Sequence, residues 1–171
     1  GDVYKRQMPW TLKFLWSPFL EMFKTKKFFV VLTQMVTGAG FALVALALQL
    51  PFFFAVCIAL LAVIAFSGAT HDVATDGVYM SELSKQDQAK YIGWQGAFYN
   101  IAKIVASGGL VWLAGALLIG FGGVEGATEV VRYEATRHAW MTVMLILAAV
   151  MLLLGFYHIR MLPSGLSLIH I

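Results

Sequence analysis

The stretch FFVVLTQMVTGAGFALVALALQLPFFFAVCIALLAVIAFSGAT (residues 28–70) contains no Asp, Glu, Lys or Arg. A helix needs about 20 predominantly apolar residues to cross the hydrocarbon core of a bilayer. This stretch is therefore long enough for two crossings, and Gln49-Leu50-Pro51 marks a tight turn between them. The sequence predicts two antiparallel transmembrane helices joined by that turn.

The composition of the whole chain extends this prediction. Of its 171 residues, 60% are hydrophobic and 12% are charged, and the mean hydropathy is +0.80. A soluble domain carries about 25% charged residues. The apolar runs are also too long, and alternate too little, for the strands of about 10 residues that build a membrane β-barrel. We therefore expect an all-α, polytopic transmembrane helix bundle in a lipid bilayer.

Turn and loop signals divide the chain into five apolar segments. Ser84 and Asp87 predict a capping box before the fourth segment, and Gly108-Gly109 is expected to loosen that helix locally. A break at Gly120 and a mixed-charge loop over 124–137 precede the last segment. The predicted segments cover about residues 8–20, 27–48, 52–79, 88–119 and 138–159.

The basic residues are distributed unevenly over the loops. The loops after the first, third and fifth segments contain Lys24, Lys26, Lys27, Lys85, Lys90 and Arg160, whereas the other two contain Arg132 and Arg137. Lys and Arg are enriched in cytoplasmic loops, so we place the first set in the cytoplasm. This bias explains the net charge of +3 without nucleic acid as a partner.

The two ends of the chain differ from the rest. Residues 1–7 and 166–171 resemble translated sequencing-adapter sequence, and we expect them to be foreign to the fold. Residues 8–163 are then expected to form one partial domain of a longer membrane protein.

Three ionisable residues fall inside apolar segments, where each costs about 2.5–3.5 kcal/mol on insertion scales. Asp72 and Asp76 are four residues apart and share a helix face, which Tyr79 continues. Two carboxylates so close in a low-dielectric site do not both ionise easily, which is the chemistry of a proton carrier. The alternative is that both are solvated near the cytoplasmic interface. His71 is either a proton relay or a packing residue.

The third residue, Lys103, lies near the middle of the fourth segment. Gln95 and Tyr99 precede it at spacings of four, and Asn100 lies beside them. We expect Lys103 to pair with Asp72 or Asp76, either to orient two helices or to serve a substrate or proton path. Adjacent His71 and Asp72 point in different directions, and Cys57 is the single cysteine. The sequence therefore predicts no metal site, no disulfide and no cofactor, and we do not expect an enzyme.

Two motifs carry a family resemblance. PWTLKFLWSP (residues 9–18), followed by Glu21 and a basic loop, resembles the second helix of AmpG-type muropeptide permeases, within the major facilitator superfamily. SGATHDVATD (residues 67–76) is similar to the fourth-helix motif of that family, in which two acidic residues recur, and Lys103 stands where a basic residue is common in the fifth helix. His71 departs from the pattern, since the family often has Gln there, and residues 77–79 lack an Arg often found in relatives.

The resemblance implies that residues 8–163 run from the end of helix two to helix six, a partial N-terminal domain of a twelve-helix transporter. It implies proton-coupled uptake of anhydro-muropeptides, or a related solute, across the inner membrane of a Gram-negative bacterium. The implied partners are the bilayer, the solute, protons and the C-terminal half of the same transporter.

On this interpretation four residues handle protons or substrate, namely Asp72, Asp76, Lys103 and His71. Five more are candidates to line the cavity: Lys13, Tyr79, Gln95, Tyr99 and Asn100. Two other functional classes stay open at this point. One is a membrane-embedded enzyme that uses the His71, Asp72 and Asp76 cluster, and the other is a structural membrane subunit.

Overall fold

The computed structural model describes residues 25–163, and this part of the chain is helical and contains no strand. Its four helices are α1 (Lys26–Ala47), α2 (Phe53–Glu82), α3 (Lys85–Gly120) and α4 (Glu129–Met161). By length and composition, each is able to cross a membrane. The all-α prediction is confirmed for these residues. The predicted first segment (8–20) and the two terminal stretches (1–7 and 166–171) lie outside them.

Local hydrogen bonds fix the helix starts where the sequence carries capping residues. The Thr25 hydroxyl accepts a hydrogen bond from the Phe28 N–H at 3.3 Å and caps α1. Before α3, the Ser84 hydroxyl accepts from the Asp87 N–H at 3.2 Å and donates to the Asp87 carboxylate at 2.7 Å. The predicted capping box is therefore confirmed, although the carboxylate bonds the Ser84 hydroxyl rather than its backbone N–H.

The middle of α3 contains a π-helical turn, Val105–Gly109. The predicted loosening at Gly108-Gly109 is confirmed, because a π turn widens the backbone by one residue and is confined to short insertions in α-helices. The Ser107 hydroxyl donates to the Lys103 carbonyl at 2.7 Å within this turn. A Cβ at Gly108 would meet nothing within 4 Å.

The start of α4 differs from the prediction. The helix begins at Glu129 and not at His138, so the second half of the predicted mixed-charge loop is helical. Thr128 caps it by accepting from the Val131 N–H, and an acid in the first turn suits the positive end of the helix dipole. Glu134 then pairs with Arg137 one turn later. These nine additional residues carry α4 about 14 Å beyond its apolar part.

The first helix is the centre of the packing. It lies between α2 and α4, and the C-terminal part of α3 packs on α4. A Cβ at Gly38 would lie 2.8 Å from Leu152 Cγ on α4, and one at Gly40 would lie 2.7 Å from Ile64 Cγ1 on α2. Small residues let helix backbones approach closely where lipid offers no hydrophobic driving force. Gly38 and Gly40 therefore let α1 pack closely against α4 and α2.

The outward surfaces are apolar. Phe54, Trp112 and Leu153 are exposed by 69%, 74% and 68%, and every residue from 89 to 109 in α3 is exposed. A Cβ added at Gly115 of α3 would meet nothing within 4 Å. Large uncovered apolar side chains of this kind suit contact with hydrocarbon rather than water.

Replacing Gly38 by Val is expected to destabilise the bundle by about 1–3 kcal/mol, because the new side chain meets Leu152 and the Ala148 carbonyl. The matched control is Gly115→Val, which introduces the same β-branched residue into a helix with open space around it and is expected to cost about 0.5 kcal/mol or less. Thermal unfolding followed by circular dichroism in detergent micelles measures both. Equal losses of stability would contradict the packing around α1.

Candidate functional site

The two acidic residues of α2 are four residues apart and share a helix face, as predicted. The buried residues of α2 are Ser67, Ala69, Ala74 and Gly77. Asp76 and Tyr79 are half-buried, and Asp72 is exposed. Of the two acids, Asp76 is the one with a hydrogen bond to α3.

Two hydrogen bonds join this face to α3. The Gln95 amide donates to the Asp76 carboxylate at 3.4 Å, and the Tyr79 hydroxyl donates to the Gln88 carbonyl at 2.6 Å. Gln88 also holds the end of α2, because its amide donates to the Leu83 carbonyl at 2.8 Å. The structure thus brings together three of the predicted residues, Asp76, Tyr79 and Gln95.

The predicted ion pair of Lys103 with Asp72 or Asp76 is absent from the described part of the chain. The Lys103 ammonium instead lies 5.6 Å from the centre of the Tyr99 ring, within range of a cation–π contact. This ion pair is absent from residues 25–163 because of the register between α2 and α3, that is, which of their residues lie at the same level. Counting along the two helices from the contact between Asp76 and Gln95, Lys103 is level with residue 68, about one helical turn beyond Asp72.

The remaining candidates to line a cavity are Tyr99, Asn100 and Lys13. The Asn100 amide donates to the Gly96 carbonyl of its own helix at 3.0 Å, and both Asn100 and Tyr99 are exposed on α3. Lys13 lies outside the described residues. Among residues 25–163, no group of three or more His, Cys, Asp or Glu side chains is placed to hold a metal ion.

His71 lies at the contact of α2 with α1. Its Nδ1 is 3.1 Å from the Thr33 hydroxyl of α1, and its Nε2 is 3.5 Å from the Thr75 hydroxyl one turn along α2. The two alternatives for His71 are therefore not exclusive, because the imidazole joins two helices and keeps one nitrogen beside a hydroxyl on its own helix.

A polar network that was not predicted surrounds this histidine. The Thr37 hydroxyl donates to the Ser67 hydroxyl at 3.0 Å, and Ser67 donates to the Thr33 carbonyl at 2.9 Å. All three residues are buried. The available signal was the spacing of four between Thr33 and Thr37, which places two hydroxyls on one face of an otherwise apolar helix.

A second contact that was not predicted lies on another face of α1. His158, near the end of α4, places Nδ1 3.0 Å from the Gln34 side-chain oxygen. Gln34 is 3% exposed. Polar side chains of α1 therefore meet a histidine on each neighbouring helix.

Ser67→Ala is expected to destabilise the bundle by about 1 kcal/mol, because it removes the acceptor of the buried Thr37 hydroxyl. Ser81→Ala is the matched control. Its hydroxyl is exposed and bonds only the Val78 carbonyl of its own helix, so we expect a change within about 0.5 kcal/mol. Thermal unfolding in micelles distinguishes the two variants, and a neutral Ser67→Ala would show that the network adds no stability.

Comparisons with known proteins give no further assignment. No family profile matches the chain, no curated protein is significantly similar to it, and no solved structure matches its fold at a significant level.

Proposed function

We propose that this chain is part of a proton-coupled secondary transporter, and that the solute is an anhydro-muropeptide or a related molecule taken up across a bacterial inner membrane. The bilayer, the solute, protons and the C-terminal half of the same transporter are its proposed partners. The four apolar helices support a multi-pass membrane protein. The resemblance of residues 9–18 and 67–76 to muropeptide permeases supports the choice of solute.

The observation that carries the proposal is the contact between Asp76 and Gln95. It places an ionisable carboxylate between two long apolar helices, where its hydrogen-bond partner is a neutral amide. Ionisable residues within transmembrane helices are costly and mark ion and proton pathways. A purely structural contact between α2 and α3 would not require a carboxylate.

Proton uptake at Asp76 would act directly on the α2–α3 contact. The ionised carboxylate accepts the Gln95 amide hydrogen strongly, because hydrogen bonds to a charged acceptor are about twice as strong as neutral ones. Protonation removes that charge and weakens the bond, which favours separation of the two helices. Tyr79 and Gln88 stay bonded close to the turn, so α3 would move about its N-terminal end.

Lys103 is proposed to bind an anionic group of the solute. Within residues 25–163 the ion pairs are those of Glu134 with Arg137 and His138, and the ammonium of Lys103 contacts an aromatic ring instead. A cation on an exposed part of α3, with Tyr99 and Asn100 beside it, is suited to a carboxylate ligand and a hydrogen-bonding sugar. His71 and Asp72 complete the proposed proton- and solute-handling set.

Asp76→Asn in the intact transporter is expected to lower uptake driven by a pH gradient by about tenfold or more, because the amide cannot carry a proton. Uptake of labelled anhydro-muropeptide into proteoliposomes, with and without an imposed gradient, measures this. Asp87→Asn is the control, since Asp87 caps α3 at an exposed position and its loss is expected to change uptake by about twofold or less. Gradient-driven uptake that persists in Asp76→Asn at every pH would remove Asp76 from the mechanism.

A further inference from the structure

The side chains of Thr33 and Gln34 are consecutive on α1, and each meets the Nδ1 atom of a different histidine. Thr33 meets His71 of α2 at 3.1 Å, and Gln34 meets His158 of α4 at 3.0 Å. Both α1 residues are buried. The two contacts therefore lie at the same level of the bundle, on faces of α1 that are about 100° apart.

The hydrogen bonds of Thr33 determine which nitrogen of His71 carries a proton. The Thr33 hydroxyl lies 2.7 Å from the Phe29 carbonyl and 3.0 Å from the Val30 carbonyl, and it donates its single hydrogen to them. Its oxygen is left to accept from His71. With that hydrogen directed to the carbonyls, Nδ1 of His71 is the nitrogen that donates, and Nε2 keeps the basic lone pair.

For His158, the Gln34 atom that faces Nδ1 is the side-chain oxygen, which accepts and cannot donate. In this orientation of the Gln34 amide, Nδ1 of His158 donates the hydrogen and Nε2 is the basic atom. The packing supports this placement, because Gly155 lies one turn earlier on α4 and a Cβ there would lie 3.6 Å from Gln34 Cβ and 2.9 Å from Met35 Cε.

We propose that His71 and His158 form a matched pair of proton-accepting groups, each fixed by α1 through Nδ1 and each presenting Nε2 to a proton. His158 is thereby a second proton-handling residue, and Gln34 is its positioning residue. The role in transport rests on the proposed function, whereas the protonation pattern does not. In each histidine, Nε2 takes the additional proton because Nδ1 already donates its hydrogen to a side chain of α1.

His71 and His158 have different polar and charged neighbours. His71 has the Thr33 hydroxyl on α1, the Asp72 carboxylate and the Thr75 hydroxyl on α2, and the charge of His158 from α4. His158 has Gln34 on α1 and the Tyr157 ring on its own helix. Arg160 follows two residues later. Both imidazoles are thus anchored to α1 and half-buried among these groups.

Nitrogen-15 NMR of the histidine-labelled chain in lipid nanodiscs tests the proposal without any solute or gradient. His138→Gln and His170→Gln variants assign the signals of the other two histidines. At about pH 9, where the imidazoles are neutral, we expect a protonated Nδ1 and an unprotonated Nε2 in both His71 and His158. Acidification is expected to protonate Nε2 in each while Nδ1 stays protonated.

Two variants provide matched controls for each other. Gln34→Met removes the acceptor and is expected to move His158 toward the Nε2-protonated form that free imidazole favours, without changing His71. Thr33→Val is expected to change His71 and not His158. A wild-type His158 with its proton on Nε2, an unaltered His158 in Gln34→Met, or an Nε2 that stays unprotonated down to about pH 4 would each overturn the proposal.

Failure of this inference is distinguishable from failure of the proposed function. The NMR measurement reports on protons bound to two side chains and is independent of any transported molecule. An Asp76→Asn transporter with normal gradient-driven uptake would remove the proposed coupling and leave the histidine pair intact. The wrong protonation pattern at His158 would remove the pair and leave the role of Asp76 unaffected.

Discussion

The helices leave large apolar side chains uncovered along their length, and such a surface suits hydrocarbon better than water. Leu46 and Ile104, on different helices, are exposed by 58% and 70%. Hydrocarbon also leaves no partner for an open backbone, so each crossing must satisfy its N–H and C=O groups internally, as a continuous helix does. The lengths of the helices and their short connections follow from this constraint.

In the described part of the chain, α1 makes the contacts that hold the helices together. Apolar burial does not drive helices together in lipid, so close packing and hydrogen bonds must do so. Gly38, Gly40 and Gly155 provide the packing, while Thr33 and Gln34 provide polar contacts to α2 and α4. The buried faces are therefore small and polar where a soluble bundle would have large apolar residues.

The same arrangement separates two kinds of polar group. Ser67 and the two histidines contact α1, whereas Asp76 of α2 contacts α3. Asp76 meets α3 through one amide hydrogen bond, whereas α1 meets its neighbours over their packed faces. In the proposed transporter, a change of protonation at Asp76 would therefore act on the weaker of the two contacts.

The length of the apolar runs and the turn signals between them predicted α1, α2 and α3 to within a few residues, because runs of this kind have few alternatives in lipid. The start of α4 was predicted nine residues too late, since charged residues outside the apolar core give no length signal, and only Thr128 as a cap indicated the true start. The predicted ion pair of Lys103 is absent from the described residues because the register between α2 and α3 places Lys103 about one turn beyond Asp72. Residue spacing within one helix does not determine that register. The contact of His158 with Gln34 joins residues 124 positions apart, and nothing local in the sequence indicates it.

The most direct test of the account is the side of the membrane on which each loop lies. Single cysteines at Gln49→Cys, Glu82→Cys and Glu125→Cys, in a Cys57→Ala background, can be probed in intact cells with a membrane-impermeant maleimide. The account predicts labelling at positions 49 and 125 from outside, and at position 82 only after the membrane is permeabilised. Labelling of all three positions from the same side would show that α2 and α3 do not cross, and would contradict the proposed arrangement in the bilayer.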